Sequence, residues 1–176
     1  MTPPEPPGIQ GKPTSAARTS LSHIMTLLDT NLLGTVHGGV IMKLVDDTAG
    51  TVAQRHSGGP AVTASMDEMV FSEPVRVGDL VEASAQVNWT GRSSMEIGVR
   101  VLAERWDEAG LEPKPVATAY LVFVAVDAEG RPRRVPPVLP ETAEDRRRQQ
   151  EAEIRRTHRL ARRAAILESR ATPLPG

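Results

Sequence analysis

The sequence predicts an α+β domain, a mainly antiparallel sheet wrapped around one long central helix, with a basic helix added at the C-terminal end. Three observations carry that reading. The apolar period changes from two to 3.6 and back only once, near Gly38 and again near Ala61. The helical stretch between them is apolar on too many sides for a surface element. Four extended stretches then follow with no helix between them, and the crossovers of a parallel sheet would need helices there.

Residues 1–17 combine Pro, Gly, Ser and Thr with almost no large apolar side chain, so burial cannot offset the entropy of ordering them and they read as a disordered arm. Thr19 to Leu28 reads as a strand. From Gly38 to His56, residues Val40, Ile41, Leu44, Val45, Val52 and Ala53 wrap most of a helix, which Ser57-Gly58-Gly59-Pro60 ends. Extended stretches follow at Ala61 to Phe71, Asp79 to Trp89, Ser94 to Trp106 and Val116 to Val126. Pro74 and Gly78, then Gly91, then Gly110 and Pro113 mark the turns between them. The folded domain is expected over 18–136, with 137–176 a proline linker and an Arg-rich helix. That helix, Glu141 to Arg170, is favoured by propensity, but its apolar stripe of Ile154, Leu160, Ala164 and Leu167 is thin.

Composition removes several classes of function. The chain has no cysteine, which excludes disulfides, thiol nucleophiles and thiolate metal sites. Its longest apolar runs, such as Tyr120 to Val126, fall far short of the ~20 residues of a membrane-spanning helix, and its first residues carry no secretory pattern. Membrane insertion is therefore not expected, and the expected location is cytoplasmic. A net charge of -1 and few aromatic side chains argue against nucleic-acid binding. The charge is nonetheless split, since 141–170 holds nine Arg against six acidic residues and is net +3, leaving the remainder at -4. With no His-x-x-x-His or Glu-x-x-His pattern, no metal is expected.

The chemistry concentrates between Asn31 and Asp46. His37-Gly38-Gly39 places two glycines where the unpaired amides of a helix start point outward, an arrangement suited to an oxygen gaining negative charge in acyl transfer. A tight turn is the competing reading of the same residues. Asp46 lies inside the helix among Leu, Val and Ala positions, which makes it a candidate base or nucleophile or, equally, a hydrogen-bonded structural carboxylate. It lies on nearly the same face as Gly39, whereas Asp47 is turned away by about 100°. Gly39 and Asp46 are also about 10 Å apart along a straight helix, too far to act on one atom. If both are catalytic, a second copy must bring Asp46 opposite the first copy's amides, and a homodimer follows.

Three segments in order, Asn31-Leu-Leu-Gly-Thr-Val-His-Gly-Gly-Val-Ile-Met-Lys-Leu-Val-Asp-Asp47, Val62-Thr-Ala-Ser-Met-Asp-Glu-Met-Val-Phe-Ser-Glu-Pro-Val-Arg-Val-Gly-Asp79 and Gly91-Arg-Ser-Ser-Met-Glu96, make the chain resemble the hotdog-fold acyl-CoA thioesterases of the cytosolic acyl-CoA hydrolase branch. The resemblance runs from about Ser20 to Pro136. It implies hydrolysis of fatty acyl-CoA to free acid and coenzyme A, with coenzyme A part of the substrate and no separate cofactor. It also implies Asp46, Asn31 and Gly39 as catalytic residues, and a trimer of dimers with shared active sites. Asp47 stands where an acidic Glu often follows, and the Arg-rich tail lies outside the resemblance.

The expected substrate-binding residues are His37, Gly38, Thr63, Arg92, Ser93, Ser94 and Arg133. Arg92 with its two serines is a bare turn by itself, and the resemblance makes it a partner for coenzyme A phosphates. His37 is weighed more as a loop-shaping residue than as a ligand to substrate. Two other functions stay open from sequence. One is a non-catalytic acyl-CoA-binding sensor or scaffold, and the other is a dehydratase or hydratase using His37 with Asp46.

Overall fold

The computed structural model describes residues 9–108 and 110–171. In chain order the elements are β1 (Lys12–Pro13), a 3-10 turn, β2 (Thr19–Ile24), a second 3-10 turn, α1 (Gly38–Ser57), β3 (Ala61–Phe71), β4 (Leu80–Thr90), β5 (Ser94–Glu104), β6 (Lys114–Ala125), β7 (Val138–Leu139) and α2 (Ala143–Ala171). The main sheet has five antiparallel strands in the order β2-β4-β5-β6-β3. Alternation decides its two faces. Val81, Ala83, Ala85 and Val87 of β4, Met95, Ile97, Val99 and Val101 of β5, and Ala117, Ala119, Leu121 and Phe123 of β6 all point at α1 and are buried. α1 supplies Ile41, Val45, Ala49, Val52 and Ala53 to the same core, which is why its pattern wraps so far around. Gly50 lies against Phe123, where an added Cβ would stand 3.6 Å from the ring edge.

Two expectations are corrected. The strand expected to reach Leu28 ends at Ile24, and Leu27–Asp29 forms a 3-10 turn closed by Thr26 and Asp29, whose side chain and backbone groups bond each other. Of the arm expected over 1–17, residues 1–8 lie outside the described residues, but the rest is built into the body. β1 pairs in parallel with β7, Ala17 is buried, and Lys12 Nζ donates to the carbonyl of His56 at 2.8 Å. A segment poor in apolar groups is thus held by backbone pairing and by a cation at a helix C-terminus.

The helix expected at the C-terminal end is present as α2. Its thin stripe is exposed at Ile154, Leu160 and Leu167, while Asp145 and Ala152 are buried. α2 docks through charge on the face of the sheet away from α1. Arg155 donates to the buried Glu96 at 2.6 Å and stacks 3.6 Å from the Tyr120 ring centre, and Arg159 pairs with Asp67. Gln86 and Arg18 both donate to Asp145 at the helix start. Propensity and hydrophobic pattern could not reveal this face, because the groups that anchor it are ionic.

Candidate active site

The site is set by the two ends of a short loop and by one strand beside α1. In the loop, Asn31 Oδ1 accepts from Leu33 N at 2.8 Å and from Thr35 N at 3.3 Å, while its Nδ2 donates to Thr35 Oγ1 at 2.9 Å. Gly34 takes a positive φ of 78° to close the turn, a conformation that costs Gly little. Asn31 is half-buried, and one hydrogen of its amide remains for another partner. The loop is tied down at its far end, where Val36 N donates to the Val75 carbonyl at 2.9 Å and His37 N to the Asp29 carbonyl at 2.7 Å.

At the start of α1, His37 is the N-cap and its Nδ1 accepts from Gly39 N at 2.9 Å. The amide expected to polarise a carbonyl is therefore already capped, and the outward-pointing N–H without an acceptor among the described residues is that of Gly38. This shift comes from the histidine itself, since a ring nitrogen two residues ahead of an amide reaches it as an Asn or Ser cap would. Gly38 faces Phe71, whose ring would be 3.5 Å from an added Cβ. Val36, Gly38, Ile41, Phe71, Pro74 and Val75, with Ser72 and Glu73, line a shallow depression of about 250 Å³ next to that amide.

Asp46 projects from α1 toward β3, where Thr63 Oγ1 donates to its Oδ1 at 2.8 Å. It is half-buried in one chain rather than enclosed as expected. Asp47, by contrast, is exposed and paired with Lys43 at 2.5 Å one turn earlier. The helical phase thus separates the two acids as read from sequence. Helical spacing does not place Thr63 beside Asp46; the strand immediately after the helix, which must return alongside it, does. β3 is an edge strand, bonded to β6 on one side only, so Asp46 and Thr63 sit beside an open sheet edge.

The phosphate candidates separate. Arg92 is exposed at the β4–β5 turn and its guanidinium has no acceptor among the described residues. Its carbonyl accepts from Val135 N, Ser93 O from Ala125 N, and Ser94 O from Gly91 N, so the turn is rigid while the Arg side chain is available. Arg133 is occupied. Its Nε donates to the Val126 carbonyl, and its two terminal nitrogens donate to the carbonyl and hydroxyl of Ser57 at 2.9 and 3.1 Å, closing the C-terminus of α1. Three of its five N–H donors are thus held by Val126 and Ser57, which gives Arg133 a structural role at the end of α1 beside the phosphate contact expected of it. Among the described residues no group of three or more His, Asp or Glu is placed to hold a metal.

Residues 33–108 match the family model described as the Thioesterase superfamily. The chain is 43% identical over 118 residues to an uncharacterised acyl-CoA thioester hydrolase of Bacillus subtilis, covering 67% of each chain. It is 36% identical over 154 residues to the cytosolic acyl coenzyme A thioester hydrolase of Mus musculus, covering 88% of this chain and 40% of that one. The chain thus spans well under half the length of that mammalian relative. Among solved structures, an acyl-CoA hydrolase of Staphylococcus aureus in complex with butyryl coenzyme A and coenzyme A superposes with a TM-score of 0.82 at 33% identity, over 90% of this chain and 95% of that one. An apo-hexameric acyl-CoA thioesterase gives 0.84 at 36%, over 89% and 99%. The staphylococcal enzyme has also been solved with an Asn, an Asp or a Thr replaced by Ala, the three lying fifteen and then seventeen residues apart. The chain belongs to the thioesterase superfamily and has its hotdog fold, a sheet wrapped around a central helix.

Proposed function

We propose that the protein hydrolyses fatty acyl-CoA thioesters, with Asp46 as the base or nucleophile and the Gly38 end of α1 polarising the thioester carbonyl. The carrying observation is the Thr63 to Asp46 bond of 2.8 Å, which fixes one carboxylate oxygen and leaves the other to act. Asn31, Asp46 and Thr63 here are separated by fifteen and seventeen residues, the intervals of the three positions replaced in the staphylococcal enzyme. As base, Asp46 takes a proton from water as the water oxygen bonds the carbonyl carbon. The negative charge that develops on the carbonyl oxygen meets the Gly38 N–H and the positive end of the α1 dipole. Collapse breaks the carbon–sulfur bond, and the proton passes to the departing coenzyme A sulfur. Asn31 orients water or substrate, Arg92 holds phosphate, and His37 fixes the turn. No separate cofactor enters.

A second copy completes the site. β3 offers eleven residues of unpaired edge with Val62, Val70 and Phe71 exposed. Antiparallel pairing of two such edges would set two α1 helices side by side in opposite directions, which brings Asp46 of one toward Gly38 of the other. The hexameric relatives support an oligomer, and a trimer of such dimers is the assembly proposed for this chain. A cytosolic place of action accords with the mouse relative. A panel of acyl-CoA thioesters of increasing chain length, assayed for released thiol with the unaltered chain and with Asp46→Asn, tests the function. Release by the first and not the second is expected, and equal rates would refute the assignment.

A further inference from the structure

α2 has 29 residues, and the ion pairs and hydrogen bonds that dock it on the sheet lie in its first part. Its contacts cross the sheet in order. Asp145 meets Gln86 of β4, Arg155 meets Glu96 of β5 and Tyr120 of β6, and Arg159 meets Asp67 of β3. β3 is the last strand on that side, and every residue from Leu160 to Ala171 is exposed. At 1.5 Å per residue the helix runs on for about 18 Å past the open edge. These twelve residues continue a docked helix beyond its last contact with the sheet, leaving a half whose exposed apolar stripe a second surface would stabilise.

Its composition indicates which surface. Leu160, Ala164, Leu167 and Ala171 recur at intervals of four, three and four, forming one stripe that begins where the contacts to the body end. Arg162, Arg163 and Arg170 flank the stripe, and the body preceding residue 141 is net -4. A second copy offers both an equivalent stripe and an acidic body. We infer that the C-terminal half of α2 is a clasp that crosses the β3 edge and pairs antiparallel with the same half-helix of a second copy. This rests on the two-fold β3 pairing proposed above. The small residue Ala164 lies near the middle of the Leu160 to Leu167 stripe, so in such a pair it stands opposite its own copy, while Leu160 stands opposite Leu167 of the other chain.

The cysteine-free sequence gives a direct test, because any disulfide must form at an introduced site. Ala164→Cys under mild oxidation should yield a covalent dimer. Leu160→Cys alone should not, since two such residues would lie about 10 Å apart along the pair and disulfides need Cα atoms within about 7 Å. Mixed Leu160→Cys and Leu167→Cys chains should be bridged. Ala128→Cys, in an exposed turn, is the unbridged control. A protein that sediments as a dimer or larger while Ala164→Cys stays unbridged would overturn the clasp and leave the shared site standing. A chain that sediments as a monomer would overturn both.

Discussion

Asp46 and Asp47 are neighbours in sequence with opposite surroundings. Asp46 accepts from Thr63 at 2.8 Å, and Asp47 is held by Lys43 on the solvent side. Replacing Asp46 by Asn keeps the shape and removes the base, so turnover should fall by about 10²- to 10⁴-fold with folding unchanged, as steady-state rates and circular dichroism would show. Asp47→Asn should keep its rate within a few-fold, because an exposed i,i+4 ion pair contributes little. Thr63→Val should lower kcat more than it raises KM, since the threonine orients the carboxylate. At this scale helical phase set Asp46 apart from Asp47 in the sequence, and the family resemblance pointed to the same residue. It could not reveal that His37 occupies the Gly39 amide or that Arg133 closes α1, since the first depends on a side-chain rotamer and the second on Ser57, far away in the chain.

At the scale of elements, α1 is defined by its ends. His37 caps the first turn, and at the other end Gly58 closes the helix in the left-handed conformation at φ 73°. His56 is buried there with Nε2 against the Pro136 carbonyl at 2.9 Å. Burial pushes its imidazole below the ordinary value of about 6.5, with the Pro136 carbonyl opposing and Lys12 reinforcing the shift. The unfolded chain therefore takes up a proton below about pH 6.5 that the folded chain refuses, and stability must fall as pH drops from there toward the lower folded value. Thermal unfolding followed from pH 7.5 to 5.5 should show that loss, and His56→Gln should flatten it. For α2, Arg155→Ala strands the buried Glu96 and should destabilise by about 3 kcal/mol, against less than about 0.5 kcal/mol for Arg147→Ala on the exposed side. The strands and α1 were legible because burial imposes period two or 3.6. The docked face of α2 was not, because Arg155 and Arg159 carry no apolar pattern.

In the whole molecule, the proposed active site draws on two chains. Along α1, the Gly38 amide and Asp46 are about 12 Å apart, and β3 presents an open edge beside Asp46. Two-fold pairing is what would unite them. The most direct measurement mixes Asn31→Ala chains with Asp46→Ala chains, each inactive alone, under conditions that exchange subunits, and assays acyl-CoA hydrolysis. In each mixed dimer one site collects an intact Asn31 from one chain and an intact Asp46 from the other. Random mixing should then restore about a quarter of the unaltered activity per chain. Mixed dimers, verified by mass, that remain as inactive as their parents would contradict the shared site.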